Sequence, residues 1–341
     1  MRRALNKEMM RVARSLLLLF ALLFPLAVFS QQVGEGFGPG CSDNEARDSF
    51  GDCCPSRPCA RTIQFQSKLV GVPLPYRVIV PPWYNPAEGR KPQRYPVLYL
   101  LHGLGGHHTN WIEKTKLLNE ALHYDLIIVT PEGNDGWYTD SASVPRDKYE
   151  SYVLKELIPD VESRFRTIEA REGRAVAGLS MGGYGALKFG MKYPDKFVFV
   201  ASISGALDPA ARSDAAPGFA WNFLRPSIMQ TFGAVGNPVR EANDLHKLVR
   251  SFPTERINTL PFIYLDCGTE DGFLATNREL ANILLERKIP HEFRQLPGKH
   301  DWTYWGTQVR EVLKLAAQRM QPKLEAAAAR SSALPALSSL N

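Results

Sequence analysis

One stretch limits the possible folds more than any other: Arg174-Ala175-Val176-Ala177-Gly178-Leu179-Ser180-Met181-Gly182-Gly183-Tyr184-Gly185-Ala186-Leu187. A short apolar run ends in Gly-x-Ser-x-Gly and passes at once into a helix-forming sequence, the order that a sharp strand-to-helix turn requires. In such a turn the serine sits on strained backbone with its hydroxyl pointing outward. Side chains at Gly178 or Gly182 would collide with neighbouring elements, and the helix N-terminus aims free N–H groups at developing negative charge. A plain glycine-rich turn would carry the same pentapeptide, but the strand–turn–helix setting favours a nucleophile elbow with Ser180 at its apex.

The surrounding sequence supplies the sheet this turn needs. Tyr95–Leu101, Leu126–Val129, Ala175–Leu179, Phe197–Ala201 and Phe262–Leu265 are near-continuous apolar runs, as expected of strands buried on both faces of a mostly parallel sheet. Ile63–Val70 and Tyr76–Val80 alternate, which predicts two antiparallel strands. Helical spacing is expected over Tyr149–Phe165, with a kink at Pro159, and over Tyr184–Tyr193, Asn277–Lys288 and Thr307–Met320. The pattern is α/β: a doubly wound, mostly parallel sheet with helices on both faces, spanning residues 62–320. Residues 206–260 lack strand alternation and read as an insertion over the active edge. Residues 321–341 read as an Ala/Ser-rich tail.

An elbow of this kind expects an acid and then a histidine further along the chain. Asp271, in the loop after Phe262-Ile263-Tyr264-Leu265-Asp266-Cys267-Gly268, is the chosen acid, with Glu270 as the alternative. Of the histidines, His291 opens an apparent strand and His300 lies in the following loop, so His300 is the expected base. The acid would hold the imidazole in one tautomer and stabilise its protonated form. An oxyanion hole needs two backbone donors. The N–H groups of Met181, after the serine, and of Leu104, in His102-Gly103-Leu104-Gly105-Gly106, are the candidates. His102 reads as structural and Asp301 as loop-shaping. Trp111, Trp137, Tyr138 and Trp302 are candidate pocket residues, and Trp305 lies near them. His107 and His108 with Asp271 show no ligand spacing, so no metal and no cofactor are expected.

These residues resemble the esterase D family of α/β-hydrolases, which includes S-formylglutathione hydrolases, feruloyl and acetyl-xylan-type carbohydrate esterases, and mycolyltransferases. The likeness runs from Thr62 to Gln318. It rests on YPVLYLLHGLGG, PEGNDGWYTDS, YESYVLKELIPDVESRFRT, AGLSMGGYGALKF, LDCGTEDGF and LPGKHDWTYW. The resemblance implies an α/β-hydrolase fold, a Ser180–His300–Asp271 triad and oxyanion donors at Leu104 and Met181. It implies ester hydrolysis through an acyl-enzyme, or acyl transfer to a sugar or glycerol hydroxyl; a non-catalytic polysaccharide binder on the same fold is the remaining alternative. The substrate would be a small-molecule or polysaccharide-linked ester.

The N-terminus points to export. Residues 1–30 combine five basic side chains and one acid with an apolar run, Leu16–Phe29, of about 14 residues. That is nearer a signal-peptide core than the ~20 residues needed to span a bilayer. Cleavage after Ser30 is expected, leaving no stable membrane span and a secreted or periplasmic protein. This segment holds most of the net charge of +6, leaving +2 for the rest. A near-neutral remainder without a basic stripe gives no reason to expect nucleic acid. Residues 31–61 form a short Cys-rich segment in which Cys41, Cys53, Cys54 and Cys59 read as two disulfides. Cys41 and Cys59 would each pair with one of the adjacent two, and a four-thiolate zinc site fits adjacent cysteines poorly. Cys267 reads as a buried, inert thiol.

Overall fold

The computed structural model describes residues 59–81, 84, 93–215 and 219–320. The expected signal peptide, Cys41, Cys53, Cys54 and the tail lie outside the described residues. Eight strands form one sheet in the order β1-β2-β4-β3-β5-β6-β7-β8. They are β1 (Cys59–Ile63), β2 (Tyr76–Val80), β3 (Val97–Leu101), β4 (Ile127–Pro131), β5 (Arg174–Leu179), β6 (Phe199–Ile203), β7 (Phe262–Gly268) and β8 (His291–Leu296). β1 and β2 pair antiparallel, as do β2 and β4; every other pair is parallel.

Alternation within one buried strand divides the core. In β3, Val97, Tyr99 and Leu101 face one apolar cluster, and Leu98 and Leu100 face the other. The first cluster is covered by α3 (Tyr149–Tyr152), α4 (Ile158–Arg164), α5 (Met181–Lys192), α8 (Leu245–Ser251) and α9 (Leu274–Glu286). The second is covered by α1 (Asn110–Glu113), α2 (Leu117–Ala121) and α10 (Trp302–Met320). The segment over residues 206–260 is helical, with α6 (Phe219–Phe232) and α7 (Pro238–Ala242) preceding α8. Among the described residues no helix is long and apolar enough to cross a membrane.

Two elements differ from the sequence expectation. The strand expected over Ile63–Val70 lies earlier, at β1, because Glu156 captures the Lys68 and Leu69 N–H groups at 2.9 and 3.1 Å and the Ser67 hydroxyl at 2.6 Å. Those bonds turn the chain where a ladder would otherwise continue. The helix expected over Tyr149–Phe165 contains a π-helical turn, Val153–Leu157, and Pro159 falls in the first turn of α4. The wider π-helical turn immediately before it makes room for a residue that donates no N–H.

A buried ion network ties α5 to the loop after β4. The fully buried Lys188 Nζ donates to the Glu150 carboxylate at 2.7 Å, to the Tyr138 carbonyl at 2.6 Å and to Thr139 Oγ1 at 2.7 Å. Lys192 Nζ reaches the other Glu150 oxygen at 2.6 Å. Burial alone would push the Glu150 carboxyl up, but the two ammonium groups outweigh it and bring it to about 2. Desolvation lowers Lys188 to about 8. Removing one partner of such a pair leaves the other charged and dry. Glu150→Gln is therefore expected to cost about 3–5 kcal/mol in urea unfolding, and the double replacement Glu150→Leu with Lys188→Met distinctly less. Because the Glu150 carboxyl is depressed on folding, its contribution is complete above the ordinary carboxyl range and is lost as pH falls towards about 2.

Candidate active site

At the end of β5 the chain makes the sharp turn its glycines announce. Ser180 has φ 52° and ψ −116°, a backbone conformation rarely adopted by a residue with a side chain. Its N–H donates to the Ile203 carbonyl at 3.0 Å, and its carbonyl accepts from Ala206 and Tyr184 at 3.1 Å each. A Cβ on Gly178 would lie 2.5 Å from the Gly182 carbonyl carbon, and one on Gly182 would lie 2.6 Å from the Leu101 carbonyl oxygen. Backbone packed against backbone thus fixes the serine over the carboxyl edge of the sheet.

Two other strand ends deliver its partners. β7 leads into the turn carrying Asp271, and β8 leads into the loop carrying His300. His300 Nδ1 lies 2.8 Å from Asp271 Oδ2, and His300 Nε2 lies 3.0 Å from Ser180 Oγ. An ionised carboxylate can only accept, so Nδ1 carries the proton and Nε2 is left to accept from the serine hydroxyl. Burial would raise the Asp271 carboxyl, but the His300 imidazole and the Phe273 N–H, which donates at 2.8 Å, hold it below the usual range. Phe273 and Trp305 bracket the imidazole, each with its ring centre 4.9 Å away.

Glu270, the alternative acid, is exposed and faces Lys299 at 3.7 Å. Asp266 is fully buried in β7. His291 turns its Nδ1 to the Ile289 carbonyl at 2.8 Å. Asp301 accepts from the Tyr304 N–H at the start of α10, shaping the loop. Cys267 is a free, buried thiol whose ionisation burial pushes up.

Leu104 lies beside Ser180 on the wall of a cavity of about 570 Å³. Its N–H makes no hydrogen bond to another described residue. Met181, as the first residue of α5, has no acceptor for its N–H within the helix. Trp302 and Trp305 line the cavity, together with Leu224, Phe223, Phe273, Lys114 and Arg212. The other aromatic candidates do not. Trp111 is fully buried beneath Trp302, with Nε1 donating to the Leu101 carbonyl at 3.1 Å. Trp137 packs edge-on to Tyr184, and Tyr138 is spent on the His102 carbonyl; both are fully buried. Their tryptophan and tyrosine rings read as pocket from loop position alone, while their burial comes from partners distant in sequence. Phe223, Leu224 and Arg212 were not legible because nothing local marks which side of the 206–260 segment faces the serine.

His102 is structural: Gly133 N–H donates to its Nε2 at 2.9 Å, and its Nδ1 lies 2.8 Å from the Gly103 carbonyl. His108 Nδ1 lies 2.9 Å from Glu132, and His107 is exposed. Among the described residues no group of three or more His, Cys, Asp or Glu side chains is placed to hold a metal ion.

The chain has relatives among known proteins. The sequence profile of the family described as "Putative esterase" matches residues 67–315. An acetyl esterase of Caldicellulosiruptor saccharolyticus is 30% identical over 213 residues, spanning 61% of this chain and 78% of that protein. The esterase Rv1288 of Mycobacterium tuberculosis is 33% identical over 258 residues, 70% of this chain, and the chain spans about half of that protein, 54%. Among solved structures, FphF of Staphylococcus aureus, a fluorophosphonate-binding serine hydrolase, superposes with a TM-score of 0.66 over 76% of this chain and 99% of that one. At 22% identity that likeness speaks for the fold.

The two kinds of glycine demand at this site are expected to separate by magnitude. Gly182→Ala forces a methyl group against two backbone carbonyls and should cost at least about 3 kcal/mol in chemical denaturation, or prevent folding. Gly105→Ala has open space around it and only a left-handed backbone, φ 67°, to tolerate, and should cost ~1–2 kcal/mol.

Proposed function

The chain belongs to this esterase family, and from that premise we propose that it is an exported serine carboxylesterase working through Ser180, His300 and Asp271. The observation that carries the reading is the unbroken relay from Asp271 Oδ2 to His300 Nδ1 at 2.8 Å and from His300 Nε2 to Ser180 Oγ at 3.0 Å. Ser180 Oγ attacks the ester carbonyl carbon while its proton passes to His300 Nε2. Asp271 stabilises the imidazolium by accepting from Nδ1. The carbonyl oxygen, now negative, accepts from the Leu104 and Met181 N–H groups. Collapse of the tetrahedral species breaks the bond to the alcohol, which leaves with the proton from His300. Water then repeats the sequence on the acyl-enzyme, releasing the acid and restoring the serine. The apolar wall of Leu224, Phe273, Trp302 and Trp305 supports an ester with a hydrophobic or aromatic portion.

Ser180→Ala is expected to lower kcat for an aryl ester by at least ~10⁴-fold and to abolish labelling by a fluorophosphonate probe. Asp271→Asn should lower kcat by about 10⁴-fold. A folded wild-type chain that neither turns over esters nor takes up the probe would end this reading. Products formed with and without an added sugar or glycerol acceptor separate hydrolysis from acyl transfer.

Export carries its own test. The basic stretch followed by the apolar run Leu16–Phe29 supports cleavage after Ser30 and a mature protein beginning at Gln31, with two bridges proposed among Cys41, Cys53, Cys54 and Cys59. Intact mass spectrometry should give that N-terminus and a gain of two hydrogens per bridge on reduction. A retained leader rejects the export reading, and free thiols reject the bridges.

A further inference from the structure

The Leu104 donor belongs to a tight turn with little to hold it. Gly106 N–H closes the turn onto the Gly103 carbonyl at 3.0 Å, and Gly105 occupies its left-handed corner at φ 67°. The Leu104 N–H belongs to the peptide that enters the turn from Gly103, so it moves wherever the turn as a whole moves. Something must seat the turn if the donor is to be ready before substrate arrives.

The Asp135 carboxylate meets that need. Its Oδ1 accepts from the Gly105 N–H at 2.7 Å, the short distance typical of a charge-assisted bond. Asp135 therefore pins the far corner of the turn to the loop after β4, one peptide beyond the Leu104 donor, and a rotated central peptide would set the Leu104 carbonyl oxygen against the carboxylate. It makes no other hydrogen bond and no ion pair among the described residues, and it is exposed. Neither burial nor a structural network accounts for it.

The loop that carries Asp135 is itself held rigidly. Asn134, Trp137 and Tyr138 all have positive φ, at 42°, 50° and 49°. Such conformations persist only where their surroundings over-determine them. Here Lys188 grips the Tyr138 carbonyl, the Tyr138 hydroxyl donates to the His102 carbonyl at 3.1 Å, and Asn134 Nδ2 donates to the Tyr149 hydroxyl at 2.7 Å. We infer that Asp135 is a positioning residue that holds the Gly103–Gly106 turn in the state that aims the Leu104 N–H at the oxyanion. The inference rests on the esterase reading given above.

Steady-state hydrolysis of an activated aryl ester by the full chain tests it, with Ser180→Ala as the inactive reference. Asp135→Ala is expected to lower kcat by about 10- to 100-fold, less than outright loss of a donor. KM should stay within about twofold and Tm should not change. Asp135→Asn keeps an oxygen that can accept from Gly105 N–H and should restore kcat to within about threefold of the wild type. This rescue separates positioning from a need for charge. Asp135 also borders a second cleft of about 500 Å³ that shares Leu104, Gly105 and Phe223 with the catalytic cavity. A substrate-binding role there would raise KM and leave kcat alone, which would overturn the inference. So would Asp135→Ala with wild-type kcat, an unrescued Asn variant, or a fall in kcat matched by a fall in Tm. A wild-type chain without turnover or probe labelling would instead remove the esterase reading and this inference with it.

Discussion

The backbone of Ser180 lies where a side-chain-bearing residue is rarely stable, and the site is built around keeping it there. At φ 52° and ψ −116° such a residue costs on the order of 1–3 kcal/mol. The cost is offset by hydrogen bonds to Ile203 and Ala206 and by the packing of Gly178 against Gly182. The neighbouring strand end repeats the device: Ser204 has φ 49°, and its N–H is held by the Asp266 carbonyl at 2.8 Å. Each strained residue is thus tied to the next strand of the ladder, Ser180 to β6 and Ser204 to β7. The same strain that lifts the hydroxyl towards His300 starts α5 at once and leaves the Met181 N–H without a helical partner.

Rigidity then passes outward through polar contacts rather than apolar packing. Lys188, two turns into the helix that Ser180 begins, is fixed by Glu150 and grips the Tyr138 carbonyl. Tyr138 reaches the His102 carbonyl, and the backbone of Gly133 reaches the His102 ring. The elbow helix and the turn bearing Leu104 are therefore parts of one hydrogen-bonded body, although β3 and β5 lie far apart in sequence. A buried lysine is a poor source of net stability, but here it fixes the spacing between the two proposed oxyanion donors.

How much of this was legible in the chain depends on the range of the interaction. Short apolar runs marked β3 to β7, because burial on both faces leaves a local signature, while β8, a half-buried edge strand, still falls on the expected residues. The meeting of Ser180, Asp271 and His300 was legible because order along the chain is set by strand order in the sheet. The end of β1 was not, because a carboxylate 88 residues away from Lys68 decides where the ladder stops. Nor was the burial of Trp137 and Tyr138: a loop rich in Gly, Asn and Asp gives no sign that Phe232, Tyr184 and Lys188 close over it. Nothing local marks Lys188 as buried, since its partner Glu150 lies 38 positions away.

The groups proposed for the reaction and those that line the cavity come from different parts of the fold, with different constraints. Ser180, Asp271, His300 and Leu104 all follow the carboxyl ends of parallel strands whose register the ladder fixes. Moving Ser180, Asp271 or Leu104 means moving a strand buried on both faces, and moving His300 means shifting the edge strand β8. Phe223, Leu224 and Arg212 come instead from the 206–260 segment, which adds no strand to the sheet and lies across its edge. Their positions can change with no cost to the ladder. The chemistry is therefore the hard part of this structure to alter, and the choice of ester the easy part. That is why a sequence can state the reaction in five or six ordered motifs and leave the substrate unwritten.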